Sequence, residues 1–154
     1  MANTSAIATS FLKELLQKVH NIDNAGDTLR AALYLATATL DNTKATYGGT
    51  IGSAADTGEV SGSGYSPGGV VVTHGAGCVN SSGKTAFFTP TADIDFGTVT
   101  LATSFDCVLL FNVTASNKAI LAKTFTAQTV SAANFKLTMP TNDAANALLR
   151  ITGP

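Results

Sequence analysis

The sequence predicts a mainly β protein: an antiparallel β-sandwich, for which a jelly roll is one arrangement, with one N-terminal amphipathic helix. Three observations carry this. A single segment places apolar residues at helical spacing, the segments after it alternate with period two, and turn-forming residues punctuate the chain at roughly 8 to 12 residue intervals. The expected division is a helix and turn over residues 1–26 and a β-sandwich domain over residues 27–154. A chain of 154 residues suits one hydrophobic core.

The helix is expected over residues 4–20, where Ile7, Phe11, Leu12, Leu15, Leu16 and Val19 recur on one stripe. Ser10, Lys13, Glu14, Gln17 and Lys18 fill the opposite side, with Glu14 and Lys18 spaced for an i,i+4 pair. Asn3, Thr4 or Ser5 serve as caps, and Asn21, Asp23, Asn24 and Gly26 end the helix. The stripe has two uses, packing on its own sheet or docking on a partner subunit.

From residue 28 the period is two. Leu29, Ala31, Leu33 and Leu35 form a core row, and Arg30, Ala32 and Tyr34 face solvent or a neighbour, over a strand at 28–37. Residues 41–58, rich in Thr, Gly, Ala and Asp, read as a long exposed loop. Further strands are expected at 70–74, 84–89, 94–102, 107–114, 119–127, 135–139 and 147–152. The breaks between them fall at 75–77, 80–83, Pro90, 103–106, 116–118, 131–134 and 140–143. Residues 142–149 also suit a helical turn.

Charged residues are 12% of the chain, about half the usual share, while hydrophobic residues are 45% and the mean hydropathy is +0.23. So little charge keeps a surface poorly solvated, and part of it is expected to be buried against another molecule. A net charge of −1 gives no general attraction to nucleic acid or to an anionic membrane, and neither is an expected partner. Every apolar run is too short to span a bilayer, and the N-terminus lacks a signal-peptide pattern, so synthesis in a cytoplasm is expected. In that reducing compartment Cys78 and Cys107 read as small buried hydrophobes rather than a bridge.

The search for chemistry nominates no catalytic, cofactor-binding or metal-ligating residue. Gly83-Lys84-Thr85 ends like a phosphate-binding loop, but Cys78 stands where its first glycine belongs, so a hairpin turn is the better reading. His20 sits at the helix end, near the last carbonyls, and His74 at a strand end, neither with ligand-spaced partners. Asp93 and Asp95 share a strand face, where charge blocks unwanted pairing. No serine lies in a nucleophile elbow.

The most specific string is Glu59-Val60-Ser61-Gly62-Ser63-Gly64-Tyr65-Ser66-Pro67-Gly68-Gly69, leading into Val70-Val71-Val72. Its glycines permit positive φ, Pro67 presets a turn, and Tyr65 can pack over it. Together with the helix, Leu29-Arg30-Ala31-Ala32-Leu33-Tyr34-Leu35 and the loop after it, this string resembles small virion structural proteins of tailed bacteriophages. The similarity extends through residues 92–100, 107–112 and 140–151, nearly the whole chain. The resemblance implies a non-enzymatic particle component, and two roles follow. One is a capsid decoration or cement protein on the head exterior, bridging subunits of the major capsid protein and self-associating, with a trimer favoured by lattice symmetry. The other is a tail or fibre module contacting the host surface. Expected partner contacts are Ile7, Phe11 and Leu15 on the helix, and Tyr47, Tyr65 and Pro67 in the loops, the two tyrosines being the exposed loop aromatics.

Overall fold

The computed structural model describes residues 2–23 and 26–154. Two antiparallel sheets face each other as an open sandwich. Five strands form the larger, in the order β1 (Ala6–Ile7), β7 (Lys118–Leu137), β6 (Ile94–Asn112), β2 (Leu29–Leu35), β3 (Val70–Val71). Three form the smaller, in the order β4 (Val79–Ser82), β5 (Thr85–Phe88), β8 (Leu149–Thr152). A single helix, α1 (Thr9–Leu16), follows β1. One cluster of buried residues serves both sheets and the helix; Phe11, Leu33, Phe88, Leu109, Phe111 and Ile120 are among its members.

The helix is shorter than expected because its supposed caps have other partners. The Asn3 amide donates to Leu35 O at 2.9 Å and to Asp106 Oδ1 at 2.6 Å, and its oxygen accepts the Leu40 N–H at 3.0 Å. Ser5 Oγ accepts the Thr124 N–H at 2.9 Å. These bonds hold residues 3–7 extended, so that Ala6 pairs with Ala122 and Ile7 with Leu121, and helix begins only after Ala8, which offers no side-chain cap. At the other end Lys18 adopts φ 57° and stops the helix. Asn24 lies outside the described residues.

β2 forms as expected, but both of its faces are buried: Ala32 and Tyr34 are as enclosed as Leu29, Ala31 and Leu33. The segment 41–69 lies over the face that the alternation assigned to solvent. Most of residues 41–58 are exposed, as the loop reading expects, but Tyr47 and Asp56 are buried within that span, and Glu59 and Val60 directly after it.

β6 and β7 correct the expected breaks at 103–106 and 131–134, both of which are continuous strand. The two strands make a long hairpin whose register shifts repeatedly, on either side of Phe105 and between Val99 and Leu101. Ala132 takes φ 47° in one such irregularity. Turn-like residues therefore sit in β-bulges, which absorb an extra residue without reversing the chain. Residues 80–82, expected as a break, belong to β4, and Gly83 at φ 57° closes the hairpin to β5. Between β7 and β8, residues 142–146 form a turn in which Asp143 Oδ1 accepts the Ala145 and Asn146 N–H groups, both at 2.8 Å. No helix of the described residues is long and apolar enough to cross a membrane.

Candidate functional site

The glycine-rich string is built around one carboxylate. Glu59 is buried, and four donors converge on it. Its Oε1 accepts the Tyr65 hydroxyl at 2.8 Å and the Gly68 N–H at 2.7 Å. Its Oε2 accepts the Tyr47 hydroxyl and the Asp56 N–H, both at 2.8 Å. An ionised carboxylate offers about four acceptor positions, and here each has a partner. Beside it, Asp56 Oδ2 accepts the Tyr34 hydroxyl at 2.6 Å and the Lys44 ammonium at 2.5 Å. Tyr34, Tyr47 and Tyr65 are all the tyrosines of the chain, and all three donate to this pair of acids.

Burial, and then the neighbouring acids, push all three phenols well above the ordinary tyrosine range, which keeps them protonated donors. For Asp56 burial works against the charge, but hydrogen bonds from Lys44, Tyr34 and the Gly48 backbone outweigh it and hold the carboxyl below its ordinary value. The glycines complete the fastening. A Cβ on Gly69 would stand 1.8 Å from Ala31 O, so only glycine lets the loop lie against β2. Arg30 then clamps the Gly68 and Gly69 carbonyls through its guanidinium. The string is a latch that ties residues 41–69 to the main sheet.

A second polar group lies under α1. Glu14, expected on the solvent side and paired with Lys18, turns inward instead. Its Oε2 faces His20 Nε2 at 2.9 Å and its Oε1 accepts from Lys118 at 2.5 Å. Burial opposes the Glu14 charge, and the bonds from Lys118 and His20 overcome it, lowering its pKa. Asn112 Oδ1 accepts the Ala115 N–H at 3.1 Å, so its Nδ2 is the donor toward His20 Nδ1 at 2.9 Å. The ring of His20 thus meets two side chains, Glu14 through Nε2 and Asn112 through Nδ1, rather than the last helix carbonyls. His74 Nε2 faces Asp27 O at 2.8 Å. Both cysteines are free and buried; burial, and after it Asp106, pushes the Cys107 thiol up to about 12.

No family model, curated protein or solved structure matches the chain.

Tyr47, Tyr65 and Pro67 meet at the Glu59 latch. Tyr47 is only 3% exposed and stacks on Phe111 at 4.6 Å between ring centroids, so it is a core residue and not an exposed loop aromatic. Tyr65 is half-buried with its hydroxyl in the latch, and the Pro67 carbonyl accepts the Gly52 N–H at 2.8 Å. Phe11 is fully buried within the chain and packs near the His20 ring. Ile7 is half-buried in β1.

Leu15 lines an apolar cleft of about 180 Å³ between α1 and the smaller sheet, with Phe11, Ile22, Val79, Phe87 and Ile151. On the same helix Leu16 is 89% exposed and Leu12 41% exposed. Val79, on the cleft wall, is also exposed. The face bearing Ala32 and Tyr34, expected to meet solvent or a neighbour, is covered.

Sequence reasoning passed over Glu59, Asp56, Leu12 and Leu16. Glu59 does carry a signal, as a lone acid in an uncharged glycine-rich stretch with a tyrosine on either side in the chain. Leu12 and Leu16 were hidden within the stripe itself. Inward-turned Glu14 rotates the helix so that its polar side is partly buried and part of its apolar side faces out.

Proposed function

We propose that this chain is a non-enzymatic structural component of a tailed-phage particle, a decoration protein on the head exterior that bridges and stabilises subunits of the major capsid protein. The resemblance of nearly the whole chain to small virion proteins supports this reading. The observation that carries it is the exposed pair Leu12 and Leu16 beside the α1 cleft, on a chain with 12% charged residues. Burying a leucine side chain fully is worth about 1.5 to 3 kcal/mol. Two per copy make a weak contact, and symmetry-related copies on a lattice multiply it. Self-association as a trimer matches the threefold positions of a shell. The latch and the long β6–β7 hairpin give such a contact a rigid base.

The test is a particle lacking this protein. Heads that assemble but rupture more readily under heat or osmotic shock support cementing. Heads of unchanged strength with impaired adsorption overturn it in favour of a tail role. Leu12→Ser with Leu16→Ser is expected to detach a folded protein from the head.

A further inference from the structure

A separate cavity lies between the β6–β7 face and the segment leading into β8. It has a volume of about 280 Å³ and walls that are mainly apolar, with Val108, Leu110, Leu121, Phe125, Met139 and Leu148 among them. It continues into a second, more polar hollow, with Leu121, Lys123, Asn146, Ala147 and Leu148 common to both and Arg150 added at the far side. No carboxylate is among the described residues lining either hollow.

The wall on the β8 side is held open by polar pins. Asp93 Oδ1 accepts the Met139 N–H at 2.9 Å, Thr89 Oγ1 accepts the Leu148 N–H at 3.0 Å, and the Asn146 amide donates to Asp143 Oδ2 at 2.9 Å. A chamber whose walls are fixed independently of its contents is preorganised, which lowers the entropic cost of binding. The charges at the mouth differ. Arg150 donates to Ala145 O at 2.5 Å and lies within the field of Asp143, whereas Lys123 is exposed and has no ion pair among the described residues.

We propose that this chamber binds a small amphiphile with one anionic head and an alkyl tail, a medium-chain carboxylate, tail inside and head against Lys123. An apolar cavity of about 150 Å³ takes a six-carbon ring, so this chamber takes a tail of roughly ten carbons. The tail gains apolar burial, and the head meets Lys123, the cation at the mouth that has no ion pair among the described residues. The site is independent of the particle role proposed above.

Isothermal titration of the whole protein with sodium decanoate, below its aggregation concentration, tests this. One-to-one binding is expected, at least about fivefold weaker in Lys123→Gln, and lost in Ala147→Phe, which fills the chamber. Lys123 is exposed, so its replacement leaves the melting temperature unchanged and keeps the test informative if Ala147→Phe misfolds. Decanol binding as tightly as decanoate, or decanoate binding unaltered in Lys123→Gln, overturns the role of the charge. Absence of decanoate binding at millimolar concentration overturns the site. Binding only to vesicles of anionic phospholipid, and not to decanoate, also overturns it.

Discussion

Glu59 holds four donors at once, so the loss of its charge has a calculable geometry. In Glu59→Gln the new amide nitrogen meets two donors, whichever way the side chain is turned: Tyr65 and Gly68 on one side, or Tyr47 and Asp56 on the other. One buried donor pair then goes unmatched, and a loss of about 2 to 4 kcal/mol is expected in urea unfolding. The tyrosines give this latch an optical signature. Their pKa values are raised by folding, so the folded state keeps protons that an unfolded chain releases above about pH 10, and stability falls as pH rises past that point. Phenolate absorbance should appear in one cooperative step together with unfolding, not as a gradual titration. Glu14 and Asp56 act in the opposite direction. Their lowered values mean that the unfolded chain binds protons first, so the stability they add is present at neutral pH and declines as pH falls through the carboxylate range. The melting temperature should drop between about pH 5 and pH 3, and less steeply in Asp56→Asn. None of this was legible from single residues. A buried carboxylate is defined by the donors around it, and these come from segments that the fold brings together.

At the scale of elements, α1 divides its apolar residues between two tasks. Phe11→Ala is expected to cost about 3 to 5 kcal/mol, because it opens a cavity in the common core. Leu16→Ser, at an exposed position, is expected to change stability by less than about 0.5 kcal/mol. Paired denaturation curves check both. The period-two segments were readable because alternating side chains satisfy a half-buried strand. The same signal misassigned the outer face of β2, since alternation reports which residues differ, not what later covers them. The breaks at 103–106 and 131–134 were misread for a related reason. Ser, Thr, Ala and Asn describe solvated backbone, and a bulged strand with an exposed face is solvated as well. Ala132 offers a direct check: glycine accepts its φ of 47° without a Cβ penalty, so Ala132→Gly should be neutral or stabilising by up to about 1 kcal/mol, and Ala132→Val clearly destabilising.

For the whole molecule, sheet edges decide how the surface behaves. β1 covers β7 only at Ala122 and Leu121, and beyond Phe125 no described strand pairs with the outer edge of β7. Between Lys123 and Lys136 that edge carries no charge, and its register shifts do the work that charge does on other edges, twisting the backbone away from a flat template. Both thiols lie inside the same fold and have raised pKa values, burial being the main cause. Alkylation of Cys78 and Cys107 in the native protein should therefore be slow and should accelerate with denaturant in parallel with global unfolding.

The sheet is stitched between parts of the chain made at very different times. Ser5 reaches Thr124, 119 residues away, and β2 finds β6 only after the whole latch and the smaller hairpin have been synthesised. A ribosome working at about 5 to 20 residues per second would expose the first strand for several seconds before its partner emerges. Pairing so distant in sequence also folds slowly once the chain is complete. The N-terminal segment, with Ala8, Phe11 and Leu15, is thus a nascent-chain liability: while it waits, it presents to chaperones and to other chains apolar residues that the finished protein buries wholly or in part.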